Sequence, residues 1–101
     1  MYQANIEATM YFDPSEPVVT SAEKLVIAVN DMLRTAEEVS VSFHGLRGVS
    51  SSYFNVLLKT IVEIHGIETL DNRVKFAFET QAQEMIFERS LKSVKDSLMV
   101  A

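Results

Sequence analysis

The sequence predicts an α/β fold, with a mostly parallel sheet of about four strands and helices on one face. Three observations carry this. Segments of alternating apolar and polar residues are interleaved with segments whose apolar residues recur every three or four positions, the order expected of parallel strands joined by helical crossovers. Such crossovers are right-handed, which limits the chain to a few topologies. The strands alternate cleanly instead of being apolar throughout, so helices cover one face and the other meets water or a partner. That second face carries Ser40, Ser42, His44, Lys75 and Ala77.

The first strand is read from residues 5–12, NIEATMYF, where Ile6, Ala8, Met10 and Phe12 share one side. DPSEP follows as a turn, and Pro17-Val18-Val19 reads as a short returning strand. Thr20 or Ser21 then caps a helix over residues 21–36, with Glu23 three residues after Thr20 as a capping box requires. Its buried stripe is Ala22, Leu25, Val26, Val29, Met32, Leu33 and Ala36. Val39, Val41 and Phe43 form the next strand. Beyond GLRGVSSS, Phe54, Leu57, Leu58, Ile61, Val62 and His65 line one helical face and Tyr53, Val56, Thr60 and Ile64 add to it, so this helix is apolar over more than half its circumference and therefore central; Gly66 ends it. Asp71-Asn72 marks a turn before Val74, Phe76 and Phe78 alternate in a further strand. Thr80 caps the last helix, whose stripe is Phe87, Leu91, Val94, Leu98 and Ala101. That stripe runs to the end of the chain, where a small domain has little core left to cover, so it either frays or docks on a partner or a second copy, as in a homodimer.

The chain's 101 residues fit one domain over residues 1–101. Nine basic residues against 14 acidic ones give a net charge of −5, which argues against nucleic acid and anionic membrane as partners. There is no cysteine, and therefore no disulfide or thiolate site. With no apolar run near the ~20 residues of a membrane span and no signal-like N-terminus, the expected location is the cytoplasm.

The chemistry concentrates in the junction GLRGVSSS, residues 45–52. Serines at the start of a helix satisfy backbone N–H groups that have no partner within the helix. The same end is partly positive and holds phosphate, free or covalent. Ser50, Ser51 and Ser52 are thus candidates for capping, for phosphorylation or for anion binding, and Arg47 could steady the anion. The glycines are three apart with no lysine, which is not a nucleotide-binding P-loop. His44 and His65 have no third ligand at metal spacing, and Asp13, Glu16 and the serines lack the partners that acid–base or triad chemistry needs. No cofactor, metal or catalytic residue is expected, and the chain is not read as an enzyme.

This junction and the order of elements resemble the STAS domain, the fold of bacterial anti-sigma factor antagonists and sulfate-transporter tails, and within it the divergent STAS-like group of bacterial and phage proteins. In the antagonists the strand ends in Asp-Ser-Ser-Gly-Leu, whose first serine is phosphorylated by a kinase that is also the anti-sigma factor. Laid over this chain, the aspartate falls on Ser50, the phosphorylated serine on Ser51, the second serine on Ser52, the glycine on Tyr53 and the leucine on Phe54. The resemblance implies a small regulatory protein–protein interaction module. It also implies a serine kinase or anti-sigma-like ATPase as partner. Tyr53, far bulkier than the glycine it replaces, is expected to crowd an approaching kinase. The alternative reading is a small-ligand or anion-binding domain that uses the same helix end.

Overall fold

Gln3–Glu7 (β1), Glu38–Ser42 (β2) and Val74–Ala77 (β3) form a parallel sheet in the order β1-β2-β3 in the computed structural model, which describes residues 2–46 and 49–99. Ala4 is in register with Val39, and Val39 with Val74; Ile6 pairs with Val41, and Val41 with Phe76. The helices are α1 (Val18–Leu33), α2 (Ser51–His65), α3 (Ile67–Arg73) and α4 (Gln81–Met99). Ala4, Ile6, Val39, Val41 and Val74 are buried, whereas Gln3, Asn5, Glu7, Lys75 and Ala77 on the opposite face are exposed. The helices therefore cover one face, as the alternation predicts. α2 packs against both α1 and α4, and Tyr53, Phe54, Leu57, Leu58 and Ile61 are all fully buried. Burying each of Phe54, Leu57, Leu58 and Ile61 contributes about 1.5–3 kcal/mol. Among the described residues no helix is long and apolar enough to cross a membrane.

The described sheet has three strands, not about four. Pro17-Val18-Val19 does not return as a strand but opens α1. Pro17 takes the N-cap position with extended backbone (φ −56°, ψ 143°), and its carbonyl accepts the Thr20 and Ser21 N–H groups at 3.0 and 3.4 Å, which closes the first turn. The expected capping box on Thr20 or Ser21 is displaced with it. Ser21 is buried inside α1, and its hydroxyl accepts the Asp13 N–H at 3.2 Å.

β1 is also shorter than its alternation suggests. Its partner β2 leaves the ladder after Ser42, and residues Ala8–Tyr11 coil into a 3-10 helix that leaves Met10 exposed. Asp71 and Asn72 form no open turn; they complete α3, whose Leu70 is buried. Gly66 ends α2 as expected, at φ +90°, a left-handed backbone that costs glycine nothing. Thr80 caps α4: its Oγ1 accepts the Gln83 N–H at 3.1 Å. Along α4, Phe87 and Val94 are buried, but Leu98 is exposed; Ala101 lies outside the described residues.

Candidate functional site

The carboxyl end of β2, the junction after it and the first turns of α2 and α4 meet at one end of the sheet. Phe43 is fully buried, and the chain then turns at Gly45, whose φ is +85° and where an added Cβ would lie 3.2 Å from Thr9 Cγ2. A side chain there would face both backbone strain and a tight contact. Leu46 is buried, while Val49 and Ser50 are half-buried. Arg47 lies outside the described residues.

α4 fastens this junction. Gln83 is buried, and its Nε2 donates to the carbonyls of Phe43 (3.2 Å) and Leu46 (3.4 Å), while its Oε1 accepts the Glu79 N–H (2.9 Å). One side chain thus satisfies three backbone groups that would be costly to leave unpaired. Glu79 adds to the tie: one carboxylate oxygen accepts the Gly45 N–H at 3.2 Å, and the other lies 3.6 Å from His44 Nε2. The buried Ser90 hydroxyl donates to the Ser51 carbonyl at 3.3 Å. Sequence reasoning missed Glu79, Gln83 and Ser90. The spacing Thr80-x-x-Gln83 signals a helix start, but nothing local reveals that Gln83 reaches back about 40 residues.

The serines are brought together as expected and used differently. Ser50 occupies the N-cap position with extended backbone (φ −104°, ψ 168°), and its carbonyl accepts the Tyr53 N–H at 3.2 Å. Its side chain makes no capping bond. Ser51 and Ser52 are exposed. Among the described residues none of the three hydroxyls has a hydrogen-bond partner, so the expectation that they cap α2 does not hold. They stand at a helix end where, among the described residues, the Ser51 and Ser52 N–H groups have no partner and the dipole favours negative charge. His65, at the opposite end of α2, is not part of the site; its Nε2 donates to Asn30 Oδ1 across the α1–α2 interface.

Tyr53 does not stand over the serines. Its ring points inward, fully buried, in edge-on contact with Phe12, Phe43 and Phe54 at centroid distances of 5.9, 6.5 and 5.6 Å. A bulky residue beside the serines thus leaves their outer surface open. The cost falls on stability. Tyr53 Oη is buried with no partner among the described residues, and desolvation pushes the phenol well above its ordinary range. Tyr53→Phe is expected to stabilise the fold by about 1–3 kcal/mol, the penalty of an unsatisfied buried polar group. Between about pH 10 and the higher folded value, the unfolded tyrosine ionises while the folded one stays neutral. The stability of the natural chain should therefore fall as pH rises through that window, by at most about 1.4 kcal/mol per pH unit from this group. Urea titrations at pH 8 and above pH 10 check this: the gain from Tyr53→Phe should grow with pH. A variant less stable than the natural chain would contradict it.

With this geometry in place, the comparison with family models is decisive. Residues 21–82, more than half of the chain, match the family described as STAS-like domain of unknown function (DUF4325). The chain belongs to this family. The matched span of the STAS-like domain begins inside α1 and takes in β2, the serine junction, α2, α3 and β3. Comparisons with curated proteins and with solved structures give no match.

Proposed function

We propose that this STAS-like domain acts by binding another protein, not by chemistry on a substrate, and that Ser51 at the head of α2 regulates the binding by carrying a phosphate. One observation supports this best: Ser51 and Ser52 present unengaged hydroxyls at an open helix N-terminus while Tyr53 and Phe54 turn into the core. A phosphate on Ser51 would add about −1.5 to −2 charge and accept hydrogen bonds from the N–H groups at the start of the first turn. It would alter the surface without unfolding the domain. A serine kinase of the anti-sigma ATPase type would supply the phosphate and is the partner this reading favours. With a net charge of −5, nucleic acid is not the partner.

The test is affinity purification of the natural chain, Ser51→Ala and Ser51→Glu from the native host, with mass spectrometry for partners and phosphoserine. Ser51→Glu should lose at least about tenfold of the bound partner while its stability stays within about 1 kcal/mol, the size of helix-end charge effects. Ser51→Ala should keep the partner. Equal binding by Ser51→Glu together with no phosphoserine would overturn the proposal. Tight binding of inorganic phosphate by the isolated chain, with partner retention insensitive to Ser51, would establish the anion-binding alternative instead.

A further inference from the structure

We propose that the outer groove between α1 and α2 is a docking site for a basic amphipathic helix of a partner protein. This rests on the reading of the chain as a protein-binding module and adds the class of segment it takes. Val19 and Ile27 on α1 line the groove opposite Val56 and Ile64 on α2, around a volume of about 290 Å³. The paired positions on each helix are about 12 Å apart, so the apolar floor matches roughly two to three turns of a bound helix. Ser52, exposed, lies one turn before Val56, so the groove leads away from the serine end.

The groove is unusual in what it leaves exposed. Met10, Val19, Ile27 and Ile64 are 78%, 42%, 60% and 54% exposed, and they make up four of the seven exposed large apolar residues among those described. Met10 joins the groove through Ile27, which also lines a neighbouring hollow with Tyr11 and Phe12. Apolar side chains gathered in this way mark an interaction surface, whereas scattered ones do not.

Charge identifies the occupant. Glu23 is the one charged residue lining the groove among those described. The neighbouring hollow carries Asp13 and Lys24. Lys24 is committed to Glu16 at 2.6 Å, and Asp13 is held as a carboxylate by the Ser15 hydroxyl and N–H at 2.7 and 2.9 Å. The surface is therefore apolar and net acidic. An anionic lipid surface would be repelled. A second copy would set one acidic surface against another, which costs binding energy. A helix with apolar residues at i, i+3 or i+4 and i+7, flanked by Lys or Arg, fills the groove and pairs with Glu23 and Asp13.

The experiment titrates the full, isotope-labelled chain with a synthetic leucine-striped helical peptide of about 18 residues carrying lysine flanks, and with its counterpart carrying glutamate flanks. The lysine peptide should saturably shift the backbone signals of Val19, Ile27, Val56 and Ile64, and bind at least about tenfold more tightly than the glutamate peptide. Glu23→Lys should narrow or reverse that preference. The double variant Ile27→Ser/Ile64→Ser, exposed and therefore still folded, should bind at least about tenfold more weakly. No saturation below about 1 mM, equal binding of both peptides, or shifts confined to another surface would overturn the proposal. So would sedimentation showing a dimer that the double variant makes monomeric. If the native partner is lost with Ser51→Glu but kept by the double variant, the groove proposal falls alone. If the peptide binds as described but partner retention ignores Ser51, the regulatory reading falls alone.

Discussion

Replacing Phe43 by alanine is expected to lower the unfolding free energy by about 3–5 kcal/mol, the range for a large aromatic side chain removed from a core. Phe43 is fully buried just beyond β2, where the strands, α2 and α4 converge. Its ring stacks with Phe76 and Phe78 at centroid distances of 5.8 and 5.6 Å, meets Phe54 edge-on at 5.1 Å, and lies 6.4 Å from Phe87. Such aromatic pairs add about 0.5–1.5 kcal/mol beyond the area they bury, and here several depend on one ring. The hole left by Phe43→Ala would have walls contributed by two strand ends and two helices, which cannot all relax inward, so the cavity cost stays high. Domains of this size have only about 5–15 kcal/mol of stability. The loss should appear as a large fall in the urea midpoint. The serine junction would suffer too, because the Phe43 carbonyl receives Gln83 and its N–H donates to Ala77 at 2.9 Å. A midpoint close to that of the natural chain would mean the aromatic cluster does not organise this end. Phe76→Ala should cost less, since Phe76 remains partly accessible at the sheet edge.

β2 and α2 were legible from sequence because their periodicity changes from two to near four across a short junction, and each stripe has one obvious inner side. The errors came where local pattern and tertiary partner part company. The alternation Ile6, Ala8, Met10 continues past Glu7, yet a strand needs a neighbour, and β2 has already turned away towards Gly45. Ala8 is buried all the same, from a 3-10 helix and not from a ladder. Val18 and Val19 favour strands as isolated residues, but Pro17 stands at the N-cap and its carbonyl takes the first N–H groups of α1. At the site, the position of the serines was legible and their environment was not. The spacing of Tyr53, Leu57 and Ile61 already places the tyrosine on the inner stripe of α2, which is why it does not crowd Ser51. The ties from Gln83, Glu79 and Ser90 join segments about 40 residues apart, and no window of sequence displays them.

Arg73→Ala is expected to cost about 2–4 kcal/mol, a large effect for a side chain at the rim of the domain. Arg73 ends α3 and crosses to the far end of α1, where its Nη2 donates to the carbonyls of Leu33 (2.9 Å) and Ala36 (2.8 Å) and its Nε to that of Glu37 (3.1 Å). The last carbonyls of a helix have no partner within it, and the guanidinium meets one of them, that of Leu33, and two more in the connection to β2. Hydrogen bonds from a charged donor are each worth about 1.5–3 kcal/mol, although bonds from one side chain do not add in full. The fork geometry matters as much as the charge, because lysine offers a point charge on a flexible stem. Arg73→Lys should therefore recover less than half of the loss. Urea unfolding of both variants measures this. Full rescue by lysine would mean that Arg73 acts through charge at the end of α1 and not by bridging three carbonyls.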